Sequence, residues 1–366
     1  MSAYRFCRTD DIGLLVDALN RCGNDPPVTP AAFKRAIRDL QVWCSSCMVA
    51  FSGSDPVGVL VGAKRPSGTL VHRIAVHPDH RRQGHGRHLL ASLGSKLAIL
   101  GPSRIVAEVP ETLAPACALF GASGYVQEAT LTDYVLEHEG DLERERAKAG
   151  GAKPPGKSER AIASEPRERS GARGAPASER VGGSGGAKPP GLLDAGFVIP
   201  ATVDDLAANG LVGDDQPRVC WERSVETLMA RKGDIAGLAV ASDERIEAYV
   251  LYVARGMGAD GSGEAGTPAS APTQGPYDAF LASWGGAVEI VALRSLVDDG
   301  GARLKHLLAR LRALAARGEG AGRAASPGTL RFPKVHPDEF SNACLETMGF
   351  RPAGGHFLYA ATARAE

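Results

Sequence analysis

The stretch Val71–Leu100, VHRIAVHPDHRRQGHGRHLLASLGSKLAIL, constrains this chain more than any other. Val71–Val76 reads as a buried strand and Pro78 as a tight turn. Leu89, Leu90, Leu93, Leu97 and Leu100 recur at a 3.6-residue period, which predicts one apolar face of a helix. Between strand and helix stand Arg81, Arg82, Gln83, Gly84, His85 and Gly86. Glycines two apart let a backbone curl closely around a ligand. The unpaired amides of the helix's first turn then point into the curl, with the positive end of the helix dipole behind them. Such a curl is an anion site, and phosphate is its usual occupant. Arg81, Arg82 and Arg87 add positive charge where a pyrophosphate would need it.

Taken together, Ile74, Ala75, Val76, Pro78, Arg81, Gly84, Gly86, Arg87, Leu89 and Leu90 form a string that resembles the coenzyme A signature of the GNAT acyltransferase superfamily. Among its branches the string is most similar to the ribosomal-protein alanine acetyltransferases. The resemblance implies that Ile74, Ala75, Val76, Arg81, Arg82, Gln83, Gly84, His85, Gly86 and Arg87 hold acetyl-CoA as cosubstrate. The backbone of Ile74–Val76 would serve the thioester carbonyl. The element order over about residues 3–137 agrees with that fold. A strand begins at Tyr4, Thr9-Asp10-Asp11 caps a helix through Leu19, and Thr29 precedes a helix through about Leu40. Cys47–Phe51 and Val57–Lys64 alternate as a hairpin. After the opening stretch come a strand at Ile105–Val109, a helix at Pro115–Ser123, and strand material in Val126–Leu136.

From Glu139 to about Leu192 large apolar residues nearly vanish after Leu142, and GGAKPPG occurs twice, at Gly150–Gly156 and Gly185–Gly191. Such a composition buries too little to offset the entropy of ordering, and predicts a disordered linker. The repeat is read as compositional drift rather than as a recognition tag. Beyond it the first half recurs in outline. Phe197-Val198-Ile199 with Thr202, Asp204 and Asp205 echoes Phe6 with Thr9, Asp10 and Asp11. Trp221–Leu228 echoes Phe33–Leu40, and Leu238–Val240 with Glu247–Ala254 echoes the hairpin. Ala287–Leu293 echoes the coenzyme strand, and NACLETMGF at Asn342–Phe350 echoes the segment ending at Tyr125. Gly/Pro/Ser-rich insertions at about Gly256–Pro276 and Arg317–Gly328 interrupt this copy.

The expected architecture is therefore α/β (α+β). It comprises tandem GNAT folds, each a central, mixed, mostly antiparallel twisted sheet flanked by helices, over residues 1–138 and 193–366, with residues 139–192 as linker. In arrangement alone this resembles mycothiol synthase. With the leucine stripes superposed, Asp299-Gly300-Gly301-Ala302-Arg303-Leu304 stands where the first copy has its anion loop. Asp298 or Asp299 would cap the helix amides and repel pyrophosphate. The second copy is thus expected to be degenerate, packing on the first or lining its acceptor cleft.

In the alanine acetyltransferase branch a strand glutamate removes the proton from the acceptor amine, and Glu108 matches that position. A carboxylate on the strand's solvent face is the other reading of Glu108. The family's tyrosine acid is replaced by Phe120, and its pantetheine-binding asparagine by Leu113; Tyr125 or Tyr134 are substitutes to consider. His72, His77, His80, His85 and His88 lack metal-ligand spacing, and Cys44-Ser45-Ser46-Cys47 lacks a second pair, so no metal is expected. Seven scattered cysteines and the absence of a signal pattern or a long apolar run predict a cytoplasmic protein without membrane contact. Forty-two basic against 42 acidic residues leave no global field for nucleic acid. The expected activity is N-acetyl transfer to an amine-bearing acceptor, a small molecule or protein amine, approaching between Asn20–Pro30 and a turn at Gln127–Asp133. The alternative is a non-catalytic acetyl-CoA-binding regulatory or scaffold protein.

Overall fold

The computed structural model describes residues 2–23, 27–137, 197–212, 219–254, 288–317, 329–339 and 341–363. The proposed linker and the insertion at 256–276 lie outside them, as does nearly all of the one at 317–328. Residues 1–138 and 196–366 form one compact unit.

The first half runs β1 (Ser2–Phe6), α1 (Ile12–Arg21), α2 (Pro30–Leu40), β2 (Met48–Ser52), β3 (Asp55–Arg65), β4 (Gly68–Val76), α3 (His85–Leu100), β5 (Arg104–Pro110), α4 (Ala114–Ala122) and β6 (Val126–Leu136). That is the expected order. Helix α2 starts where Thr29 accepts a hydrogen bond from the Ala32 N–H and Pro30 presets the first helical residue. Asp11 does not cap α1 with its side chain; it turns back to Arg5 and the Arg8 N–H instead. Leu89, Leu90, Leu93 and Leu97 of α3 are buried, whereas Leu100 projects into solvent at 67 % exposure, past the end of the surface that α3 covers.

The second half runs β7 (Phe197–Ala201), α5 (Val203–Ala208), α6 (Val225–Ala230), β8 (Ala236–Ala241), β9 (Ile246–Ala254), β10 (Val288–Ser295), α7 (Ala302–Arg317), β11 (Leu330–Val335), α8 (Asn342–Leu345) and β12 (Arg351–Thr362). Thr202 and Asp205 form a reciprocal capping box at α5. Trp221–Leu228 is not one helix: Trp221–Arg223 makes a single 3₁₀ turn, and α6 starts only after Ser224.

All twelve strands share one sheet in the order β1-β2-β3-β4-β5-β12-β6-β11-β10-β9-β8-β7. The halves exchange their last strands. Strand β12 lies between β5 and β6, pairing Leu358 with Glu108 and His356 with Leu131, while β6 pairs onward with β11. Gln127–Asp133 is accordingly not a turn but continuous strand, because β12 supplies partners along it. The exchange also mixes the cores. Tyr134 and Leu136 of β6 join the second half's cluster around Leu307 and Phe332. Tyr359 of β12 joins the first half's cluster around Leu93 and Phe120, and Trp221 joins the one around Leu15 and Phe33. Each half therefore completes apolar burial that the other lacks.

Candidate active site

Strands β4 and β5 run parallel, and ladder pairs join them only at Thr69–Ile105 and Leu70–Val106. Beyond that point β4 stays with β3 and β5 stays with β12, so Ile74–Val76 and Ala107–Pro110 line the two arms of a wedge. A bulge at His72, where β4 slips against Val61 and Gly62, begins the divergence. Ile74, Ala75 and Val76 are half-buried on one arm.

At the end of that arm lies the loop of residues 81–84, followed by α3. Arg82 and Gly84 adopt left-handed backbone (φ 63° and 87°), and α3 begins at His85 with no side chain capping its first turn. Gly84 has open space where a side chain would start. Gly86 is held close for a different reason. A β-carbon there would meet the Leu119 side chain of α4 at 3.1 Å, so this glycine permits helix packing. Arg81 donates its Nε to the Val76 carbonyl at 3.0 Å and ties loop to strand, and Gln83 donates to the Asp79 carbonyl. Arg82 and Arg87 are exposed beside the uncapped amides. The His85 ring is buried under the loop, with Nδ1 2.7 Å from the Tyr4 hydroxyl. Burial, then His80 and His88, hold its pKa below the ordinary range, so it is a neutral underlay rather than a charged ligand. An open space, uncapped amides and two outward arginines fit a pyrophosphate.

The corresponding loop of the second half is closed by its own side chain. Asp299 accepts from the Gly301 N–H at 3.0 Å and the Arg303 N–H at 2.9 Å, and pairs with the Arg303 guanidinium. Burial opposes its ionisation, but those three donors hold its carboxyl below the usual range. Gly301, with φ 81°, directly precedes α7 as Gly84 precedes α3, so the left-handed residue is present in both loops and the difference is the aspartate that caps the helix amides.

Glu108 lies on the β5 arm, not on a solvent face. Its side chain is 5 % exposed. Oε1 accepts the Trp221 N–H at 2.7 Å, and Oε2 lies 3.0 Å from Lys334 Nζ. The same Nζ is 3.2 Å from Glu222. Burial would raise the Glu222 carboxyl, but the charge and hydrogen bond of Lys334 beside it bring it below its ordinary value. His72 is pushed down to about 3 by burial, with Arg73 and Lys334 adding to the effect. Lys334, Trp221 and Glu222 all come from the second half, so these three residues lie outside the stretch that carries the GNAT signature. The positive charge and Pro333 in LRFPKV hide the strand that delivers Lys334.

Phe120 is buried and lies stacked on Tyr359, with ring centroids 5.7 Å apart, while Tyr125 packs edge-on against it at 5.1 Å. Tyr134 donates its hydroxyl to Asn342. Leu113 precedes α4 and is half exposed. Among the described residues, no three His, Cys, Asp or Glu side chains are grouped as metal ligands, and no helix is long and apolar enough to cross a membrane.

Residues 16–125 match the acetyltransferase (GNAT) family. A tandem GNAT protein from the clavulanic acid biosynthesis pathway aligns over 100 % of both chains at 15 % identity, with a TM-score of 0.53. A GCN5-related N-acetyltransferase from Sphaerobacter thermophilus covers 99 % of this chain and 96 % of its own at 11 % identity, with a TM-score of 0.53. The ribosomal-protein-S18-alanine N-acetyltransferase from Escherichia coli covers 36 % of this chain and 82 % of its own at 21 % identity, with a TM-score of 0.31. No curated protein matches the chain. The two full-length likenesses show the fold, and the family match is confined to residues 16–125.

Proposed function

With a GNAT domain at residues 16–125 as premise, we propose that the protein is an N-acetyltransferase whose first half takes acetyl-CoA and passes the acyl group to an amine. The observation that carries this is the contrast between the two loops. One leaves its helix amides uncapped beside outward arginines, and the other caps them with Asp299. Bound acetyl-CoA supplies an acyl group activated as a thioester. Arg82, Arg87 and the amides of Gly84–Arg87 hold the phosphates, Ile74–Val76 present backbone to the developing oxyanion, and Glu108 receives the amine's proton. One observation favours the non-catalytic alternative: the Glu108 carboxylate is already engaged by Lys334 and Trp221, while Phe120 has no proton to give.

Calorimetric titration with acetyl-CoA, followed by release of free coenzyme A across a panel of primary amines, tests the proposal. Binding with release for at least one amine is the expected result. Binding without release for any amine supports the regulatory alternative, and no binding removes the site assignment altogether.

A further inference from the structure

The amine nearest the proposed base belongs to the chain itself. We infer that Lys334 is a self-acylation site, the internal acceptor of the first half's acyltransfer reaction. This rests on the function proposed above.

Three observations support it. First, Lys334 Nζ lies 3.0 Å from Glu108 Oε2, the position a primary alkylamine must take to give that carboxylate its proton. Second, the backbone is contorted to put it there. Between the Phe332–Tyr134 and Val335–Thr132 pairs, Pro333 and Lys334 together oppose the single residue Asp133, a two-against-one bulge. Lys334 itself takes φ 50°, a left-handed conformation unusual for a long side chain. Bulges of this kind re-aim side chains, and strained backbone gathers at functional positions. Third, the strain is held from both sides. The Lys334 N–H donates to Asp133 Oδ1 at 2.8 Å, and its carbonyl accepts from Arg223 at 2.9 Å. A lysine serving only to neutralise two glutamates needs no such fixture, since its four-carbon stem reaches from ordinary strand geometry.

The chemistry balances within the site. Lys334 gives one proton to Glu108, and the freed Nζ lone pair forms a bond to the thioester carbonyl carbon. The bond from that carbon to sulfur breaks, and the proton held on Glu108 passes to the departing sulfur, which leaves as free thiol; the attacking nitrogen gives its second proton to Glu222, 3.2 Å away, from which it passes to water. The product amide carries no charge, so Glu108 and Glu222 lose the cation between them.

The test incubates the full chain with acetyl-CoA and maps acetylated lysines by mass spectrometry, with thermal unfolding in parallel. Lys334 should carry the acetyl group in wild type and not in Glu108→Gln. Exposed Lys34, Lys232 and Lys305 should label slowly and equally in both. The labelled protein should melt at lower temperature than the unlabelled one. Arg82→Glu, on the exposed loop, should lose labelling together with acetyl-CoA affinity, which keeps the test decisive if Glu108→Gln does not fold. Binding of acetyl-CoA with turnover of an added amine but an unmodified Lys334 overturns self-acylation and leaves the transferase proposal standing. Equal labelling of Lys334 in folded Glu108→Gln also overturns it. No binding of acetyl-CoA overturns both.

Discussion

Tyr134 donates its hydroxyl to Asn342 Oδ1 at 3.2 Å, from the last strand of the first half to the short helix of the second. Tyr359 makes the reciprocal crossing, stacking on Phe120, with Cys117 near enough to its hydroxyl to raise its pKa after burial does. The numbering makes the relation explicit. Tyr134 to Tyr359 and Cys117 to Asn342 are the same step along the chain as Gly124 to Gly349, both glycines of positive φ. The exchange of β6 and β12 is thus carried in side chains as well as in the sheet.

Tyr134→Phe should lower stability by about 0.5–1.5 kcal/mol, the usual net worth of a partly buried hydrogen bond. Urea unfolding measures it. A double-mutant cycle with Asn342→Ala should return a coupling of similar size, and zero coupling would mean that the pair does not meet in solution.

Arg65 is a second tie across the halves. Its buried guanidinium lies 4.0 Å from the Trp221 ring and donates to Gln41, the Trp221 carbonyl, Ser224 and Thr227. A lysine keeps the charge but loses the planar fork and the stacking. Arg65→Lys should cost about 2–4 kcal/mol, since hydrogen bonds to a charged group are worth roughly 1.5–3 each and only part of the set is lost. A midpoint unchanged in urea would remove this contact from the account of the seam.

How far the sequence discloses this architecture is clear from β6, β11 and β12. The order of elements in the first half follows from period and punctuation, because those signals are local. The exchange of strands is not local: β6 has the same alternation whether it pairs with its own half or the other. Strand β11 escapes notice for another reason. Arg331 and Lys334 look like solvent residues, and only their buried partners, Asp133 and Glu108, make a strand of LRFPKV. Gly86 shows a third limit, since a motif glycine is consistent with phosphate approach and with helix packing alike.

The loop of the second half predicts a pH-dependent cap. The Asp299 carboxyl has a lowered pKa when folded, so its contribution is complete above the unfolded value of about 3.9 and is lost as pH falls through the lower folded value. Asp299→Ala should destabilise by about 1 kcal/mol at pH 7. The gap between wild type and variant should close below about pH 4. The variant should gain no affinity for acetyl-CoA, because no arginine pair stands ready there.

His85 titrates the other loop. Its folded pKa lies below the unfolded value of about 6.5, so the unfolded chain binds more protons as pH falls. Stability from the neutral ring is present above that value and declines as pH drops from about 6.5 toward the folded pKa. His85→Gln, which keeps an acceptor for the Tyr4 hydroxyl, should remove this part of the slope. A wild-type profile parallel to the variant's over that range would show that the folded ring takes up its proton as readily as the unfolded one, and would remove the lowered pKa.

Glu108→Gln separates chemistry from architecture at the seam. As a base, the carboxylate is worth about 10²–10⁴ in rate, and glutamine cannot take a proton. As an ion-pair partner it holds Lys334, and removing one member of a buried pair costs roughly 3–5 kcal/mol when the other is stranded. Here Glu222 remains 3.2 Å from the same ammonium, so the expected loss in stability is smaller than that. The variant should therefore fold, bind acetyl-CoA with near wild-type affinity and release coenzyme A about 10²–10⁴-fold more slowly. Full turnover with a lowered melting temperature would make Glu108 a tie between the halves and move the base elsewhere. Lost turnover with intact binding and fold would join the two roles in one residue, which places the second half's lysine inside the first half's reaction.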